Sequence, residues 1–337
     1  AAGAAGGDFQ IDRSLRFNSA DSAYLNRTPS SASNRKTWTW SGWVKLCKNK
    51  GQVLFHSFSA QNDSGAFFID YLSSGSLRVL GWSTGWRYTS QLFRDFSAWQ
   101  HVVVAVDTTN ATANDRIKIY VNGTQITQFD TFNNPSQDAE LAINQAALHR
   151  IGNYTDGSNN YDYFDGYLAN VHFIDGQALA PTAFGKTNAA TGVWEPKEFS
   201  GGSYGTNGFH LDFSDNSSNA ALGTDSSGNS NTWTVNNLTA GANYGLTTAA
   251  RIVGTSETFS FPITYTSTVT YEFFVRITTD GSYNHMARAD GDVWNLGTSG
   301  SDLLFGNFNS GWTTFNNTGL NDSEWHFVRL TTTGSST

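Results

Sequence analysis

The chain is poor in charge and nearly without cysteine. Its 337 residues hold one Cys, Cys47, so no intrachain disulfide can form, and a domain of this size needs none. Cys47 stands at a strand end with no motif around it, so a packing role is expected rather than a nucleophile. Charged residues make up 14% of the chain, against about a quarter in an ordinary domain. The chain is not read as disordered, because aromatic residues also reach 14%. Lys and Arg total 20 against 28 Asp and Glu, for a net charge of -8. No basic stripe is present, and Lys45, Lys48 and Lys50 form only a local cluster, which argues against nucleic-acid binding. No apolar run approaches the ~18 residues of a membrane span, and no basic-then-apolar export signal is visible. No segment sustains a helical apolar period, so helix should be scarce.

What the chain has is large rings and small polar residues. It carries 11 Trp, 13 Tyr, 24 Phe and 33 Gly, the make-up of short strands joined by polar loops. Ser14-Leu15-Arg16-Phe17 alternates apolar and polar. Trp38 and Trp40 fall on one face of a strand. Gly42 is read as a bulge that returns Trp43 to that face. Further strands are expected at 53–58, 66–71, 76–82, 101–107, 117–121 and 167–174, with helical turns at 138–145 and 180–184. Asn122-Gly123 after Ile117-Lys118-Ile119-Tyr120-Val121 signals a tight hairpin.

Residues 1–13 read as a flexible arm and 14–186 as a first sandwich. Residues 187–206, with Gly201-Gly202-Ser203, read as a connector, and 207–337 as a second sandwich, incomplete as given. A repeat supports two copies. Trp40-Ser41-Gly42-Trp43-Val44-Lys45-Leu46 aligns with Tyr271-Glu272-Phe273-Phe274-Val275-Arg276-Ile277. Trp99-Gln100-His101-Val102 aligns with Trp325-His326-Phe327-Val328 at similar spacing. The fold class expected is all-β, with tandem antiparallel β-sandwiches.

Trp99-Gln100-His101-Val102, Tyr120-Val121-Asn122-Gly123, Ile151-Gly152-Asn153 and Phe164-Asp165-Gly166-Tyr167 resemble, in order, the strands of laminin-G-like, concanavalin A-like jelly-roll domains. Ser14-Leu15-Arg16-Phe17-Asn18, the stretch from Arg35 to Lys45, and Ile174-Asp175-Gly176-Gln177-Ala178-Leu179 are similar to structural proteins of marine tailed bacteriophages, cyanophages among them. That resemblance implies a virion location and a tail-fibre or appendage subunit, with a capsid decoration or head-fibre protein as the alternative. It also implies other virion proteins and a host-surface glycan as partners, no membrane insertion, and homo-oligomeric, trimeric assembly. A secreted lectin or glycoside hydrolase is the reading from another class.

No catalytic residue is expected. Glu is scarce, and Glu195 and Glu198 flank Pro196 instead of sharing a strand as a glucanase pair would. Asp162 and Asp165 are close, but the resemblance gives Asp165 a turn role. His101 and His326 belong to the repeated Trp strand and are expected to pack. Trp82, Trp86 and Tyr88 form one loop-flanked aromatic stretch, and Tyr154 and Tyr161 another; these are the candidate sugar-stacking rings. The family's calcium habit makes Asp156, Asp162, Asp225 and Asn229 the candidate cation ligands, for Ca2+ if any cofactor. Such residues also cap their own turns without metal.

Overall fold

The computed structural model describes residues 9–240 and, beyond them, the strands within 268–333. The chain divides into two compact units, Ala1–Tyr244 and Gly245–Thr337. Strands of the first unit are β1 (Leu15–Phe17), β2 (Tyr24–Arg27), β3 (Thr37–Leu46), β4 (Gln52–Phe58), β5 (Ala66–Tyr71), β6 (Ser76–Gly81), β7 (Gly85–Leu92), β8 (Gln100–Asp107), β9 (Ile117–Val121) and β10 (Thr124–Gln125). They continue with β11 (Phe129–Phe132), β12 (Leu148–Ile151), β13 (Tyr154–Thr155), β14 (Asn160–Tyr161), β15 (Gly166–Asp175), β16 (Gly185–Thr187), β17 (Trp194–Pro196), β18 (Phe209–Leu211) and β19 (Thr234–Asn236). Helix among the described residues is limited to short 3-10 turns such as Pro181–Ala183; the turn expected at 138–145 is absent.

Two antiparallel sheets face each other. Sheet A has seven strands in the order β1-β15-β3-β8-β9-β10, with β18 also on β15; sheet B has eight, in the order β11-β7-β6-β5-β4-β12-β2-β19. Alternate residues of each strand meet in one core. Trp38 of sheet A stands edge-on to Phe67 of sheet B, with ring centroids 5.1 Å apart. Trp40 is fully buried, and its indole lies over Gly42, where a Cβ would sit 2.9 Å from the ring. Gly42 is therefore no bulge. The β3–β8 register runs unbroken through it, and Trp43 points to the outer face of sheet A. The irregularity lies in β15, between Ala169 and His172. The Asn122-Gly123 hairpin forms as read, with φ of 48° and 78°.

The second boundary differs from the sequence reading. Residues 207–240 complete the first unit instead of opening the second. β18 pairs with β15, and β19 pairs with β2. Phe209 and Trp233 stand 4.9 Å apart and both pack on Phe55. The physical reason is burial: Phe209, Leu211, Phe213, Leu222, Trp233 and Leu238 all belong to the one core, and the first sheets would lose that cover without them. Nor does the 187–206 connector run free between two sandwiches. It contains β17 and folds back on sheet A.

In the second unit, β20 (Thr268–Val275) pairs with β25 (His326–Thr333). β21 (Asn284–Arg288), β22 (Asn295–Ser299), β23 (Asp302–Asn307) and β24 (Gly311–Phe315) form a four-stranded meander between them in sequence. That is the order of β3, the β4–β7 meander and β8 in the first unit. The register agrees too. Trp43 opposes His101 in the first unit, and Phe274 opposes Phe327 in the second. These are the positions that the sequence repeat equates. Residues 258–261, whose sequence also reads as a strand, lie outside the described residues.

Asp165 ties the N-terminal strand to the sandwich. Its carboxylate is fully buried and accepts hydrogen bonds from Arg16 Nη2 at 2.7 Å and Ser19 Oγ at 2.7 Å, and Lys48 Nζ lies at 3.0 Å. Burial acts to raise this carboxyl, but the donors Ser19, Lys48 and Arg16 outweigh it and hold it below the usual carboxylate range. Stability from Asp165 is thus full above the unfolded value of about 3.9 and is lost as pH falls through the lower folded value.

Two predictions follow from the packing. Trp233→Ala should destabilise the first unit by about 3–5 kcal/mol, the cost of a large buried cavity. An unchanged urea midpoint would return residues 207–240 to the second unit. Asp165→Asn should cost about 2 kcal/mol at about pH 7. The gap between mutant and wild type should close below about pH 3.9, and a gap that is constant with pH in denaturation curves would contradict the assignment.

Candidate functional site

The outward positions of sheet B form a ring-lined polar face. Strand alternation sends Phe55, Phe67, Ile69 and Val79 to the core, which leaves His56, Phe68, Asp70, Arg78 and Leu80 on the other side. Register lines up Leu80, Phe68, His56, Arg150 and Asn26 across five strands. The β13–β14 hairpin folds onto this row. Tyr154 stands edge-on to Phe68 at 5.3 Å and to His56 at 5.8 Å. Tyr161 stacks on Tyr154 at 5.1 Å and is 38% exposed. Trp82, half-buried, tilts against Phe68 at 6.2 Å and Phe58 at 6.0 Å.

The two aromatic stretches singled out in the sequence are therefore joined on one face, with Phe68 as the link. The exception is Trp86. It alternates inward, is 4% exposed, and packs on Phe67 in the core. Tyr88 stays on the outer face, where the Arg78 guanidinium lies 5.3 Å over its ring. Arg78 binds Asp70 through both carboxylate oxygens, Nε to Oδ1 at 2.8 Å and Nη2 to Oδ2 at 2.5 Å. Burial pushes the Asp70 carboxyl upward against the pull of Arg78. Burial likewise pushes the His56 imidazole down to about 3, against the carbonyls of Phe67 and Thr155 that face its ring nitrogens.

The candidate cation ligands separate. Asp156 caps its own turn, accepting from Ser158 N at 2.8 Å and Asn159 N at 2.7 Å, with the Tyr161 hydroxyl at 3.0 Å. These main-chain donors hold its carboxyl below the usual range. Asp225 lies in another part of the unit. It accepts from the main-chain N–H groups of His210, Ser227 and Asn231 at 2.8, 2.9 and 2.7 Å. Asn229 donates to the Gly205 and Gly208 carbonyls at 2.7 and 2.9 Å. That loop is a stitched turn. Asp162 differs from both. Its backbone is left-handed at φ 47°, its side chain is exposed over Gly51, and no donor binds its carboxylate among the described residues. Among the described residues, no three His, Cys, Asp or Glu side chains converge as a metal-holding group.

Asp63 went unread in the sequence. It receives Ser83 N at 2.6 Å and Thr84 N at 3.1 Å, and so fixes the turn that presents Trp82. A carboxylate reaching a turn some twenty residues away leaves no local pattern. The Asp70–Arg78 pair was legible in part, since alternation alone puts Phe68 and Asp70 on one face.

Chemically, this face offers half-exposed rings beside a free carboxylate and a fixed guanidinium. Rings take the apolar face of a sugar, and an unpaired carboxylate accepts hydroxyl hydrogen bonds.

Residues 18–183 match the family model of the concanavalin A-like lectin/glucanases superfamily. Some solved structures match the chain at low identity. A native heptameric SAP-like pentraxin from Limulus polyphemus is 16% identical, over 51% of this chain and 80% of that one, with a TM-score of 0.38. The mouse laminin alpha1 chain, domains LG4-5, is 12% identical over 99% of this chain and 76% of that one, with a TM-score of 0.38. Trypanosoma rangeli sialidase in complex with sialic acid is 15% identical, with a TM-score of 0.32; the match covers 44% of this chain but 22% of the sialidase. No curated protein sequence matches the chain. The two facing antiparallel sheets of residues 18–183 are those of a concanavalin A-like jelly-roll sandwich.

Proposed function

We propose that this chain is a non-enzymatic glycan-binding protein that uses the outer face of sheet B. The observation that carries this reading is that Phe68 joins Trp82 to the Tyr154–Tyr161 stack, far from it in sequence, on the face that also holds the unpaired carboxylate of Asp162. Trp82 and Tyr161 stack on pyranose faces. Asp162 accepts sugar hydroxyls, and Arg78 with Asp70 fixes the floor. Asp70 is committed to Arg78, which speaks for binding over a two-carboxylate hydrolysis.

The finer reading sets this domain in a tailed-phage virion, as a tail-fibre or appendage subunit assembled as a homo-oligomer. It rests on the resemblance carried by Ser14 to Asn18, Arg35 to Lys45 and Ile174 to Leu179, and on the low charge of the chain. Host attachment through a surface glycan is the role in which both readings meet.

A glycan array probed with the full chain tests the binding. For the best oligosaccharide, Trp82→Ala and Tyr161→Ala should each weaken binding at least about tenfold, the range of a buried aromatic anchor. Asp225→Asn should leave affinity unchanged, since that carboxylate serves its own turn. Equal loss from the Asp225 variant, or steady release of reducing ends from the bound glycan, would sink the proposal.

A further inference from the structure

The outer face of sheet A is covered, and what covers it is held by histidines. Residues 176–206 form a strap over this face, with the Pro181–Ala183 turn and the β16–β17 hairpin. Beneath it, register sets His210 beside His172, His172 beside Ser41, and Trp43 beside His101. Every aromatic ring of the strap lies on one of these histidines. Phe184 meets His172 at 5.3 Å and His101 at 6.4 Å. Trp194 stacks on His101 at 5.9 Å, and Phe199 meets His172 at 5.7 Å. Tyr204 stacks on His172 at 6.0 Å and on His210 at 6.2 Å.

The hydrogen bonds of His101 demand a neutral ring, whereas both nitrogens of His210 face groups able to accept, Asn170 Oδ1 at 2.6 Å and Ser226 Oγ at 3.0 Å, so the stack on His172 sets its state. An indole N–H can only donate. Trp194 Nε1 donates to His101 Nδ1 at 3.0 Å, so that nitrogen must be bare, and the proton sits on Nε2, facing Ser41 Oγ at 2.9 Å. A proton on Nδ1 would set two donors against each other. His172 and His210 stack in parallel with centroids 4.0 Å apart, a separation at which two imidazolium charges repel strongly. His172 Nδ1 meets the Tyr204 hydroxyl at 2.8 Å, and its Nε2 is buried with no partner, so a proton there gains no bond.

Few charges stand near enough to compensate. Asp212 and Asp225 favour the charged form of His210, but burial outweighs them. On the strap, Glu195 binds Asn188, and Lys197 binds Thr182 and Ser200; Lys186 and Glu198 are its other charged groups. On the sheet, Lys118 pairs with Asp115, and Asp175 at the strap's root binds Ser33 and Asn207. No carboxylate accepts from any of the three rings among the described residues.

We propose that His101, His172 and His210 form a proton-operated latch: neutral, they hold the strap on sheet A, and on protonation they release it and uncover Trp43, Val103 and Tyr120. Burial lowers His101 to about 3 and His172 well below its usual value, consistent with this geometry. Each histidine that stays neutral under the strap and titrates near 6.5 once free shifts the opening equilibrium about a hundredfold at about pH 4.5. The sign follows directly: the strap is held above about pH 6.5 and loosens as pH falls from there.

Hydrogen exchange on the full chain tests the latch. The reporters are main-chain N–H groups whose bonds cross between strap and sheet: Leu179, bound to Thr39 Oγ1 at 2.8 Å, and Asp175, bound to the Tyr204 carbonyl at 2.9 Å. After correction for intrinsic rates, their protection should fall at least about tenfold between about pH 7.5 and about pH 4.5. Amides of the β5–β6 pair should keep theirs. His101→Gln keeps an acceptor for Trp194 but cannot titrate, so it should shrink the step. Trp194→Phe leaves the histidines in place and should loosen the strap already at about pH 7.5. Strap protection that is independent of pH would overturn the latch. So would strap and β5–β6 amides failing together, since the buried His56 and His149 would then be unfolding the whole sandwich.

Discussion

The sandwich depends on burying the indoles of Trp38 and Trp40 between its sheets. Both sit on β3, the strand that pairs with β15 and β8 at the middle of sheet A. Two large rings on one strand need rings from the facing sheet, and Phe67 supplies the first. They also need space beside them, which Gly42 provides. The same strand then uses its other side: Thr39, Ser41 and Trp43 face outward, Thr39 binding the strap at Leu179 while Ser41 and Trp43 back His101 beneath it. One alternating segment thus builds the core on one face and the covered surface on the other.

Much of this was legible because it is local. The alternation of Trp38 and Trp40, the Asn122-Gly123 turn and most sheet strands are written in neighbouring residues. What the sequence hid is long-range. Gly201-Gly202-Ser203 reads as a linker, yet Phe199 and Tyr204 beside it dock on His172. Phe209 and Trp233 read as a new beginning, yet they fill the older core. A strand's partner depends on shape complementarity across the sandwich, and single-sequence periodicity carries no trace of it. β7 was missed because Gly85, Thr89 and Ser90 interrupt its apolar pattern.

The candidate site shows the same division. Sequence picked out Trp82, Tyr88, Tyr154 and Tyr161, and all four reach the outer face of sheet B. It could not tell them from Trp86, because inward and outward rings in an aromatic chain look alike until register is known. Nor could it separate Asp162 from Asp156 and Asp225, since the difference is which carboxylates already have donors. The two outer faces end with opposite characters. Sheet B presents half-exposed rings and a free carboxylate to solvent, and sheet A is closed by a strap resting on neutral histidines.

The central claim is that sheet B's outer face takes a sugar. A crystal structure of the chain with its best array oligosaccharide tests this most directly. The account predicts a pyranose ring lying against Trp82 or Tyr161, with Asp162 accepting one of its hydroxyls. A sugar found instead at the Asp225–Asn229 loop or on the strap side of sheet A would contradict it.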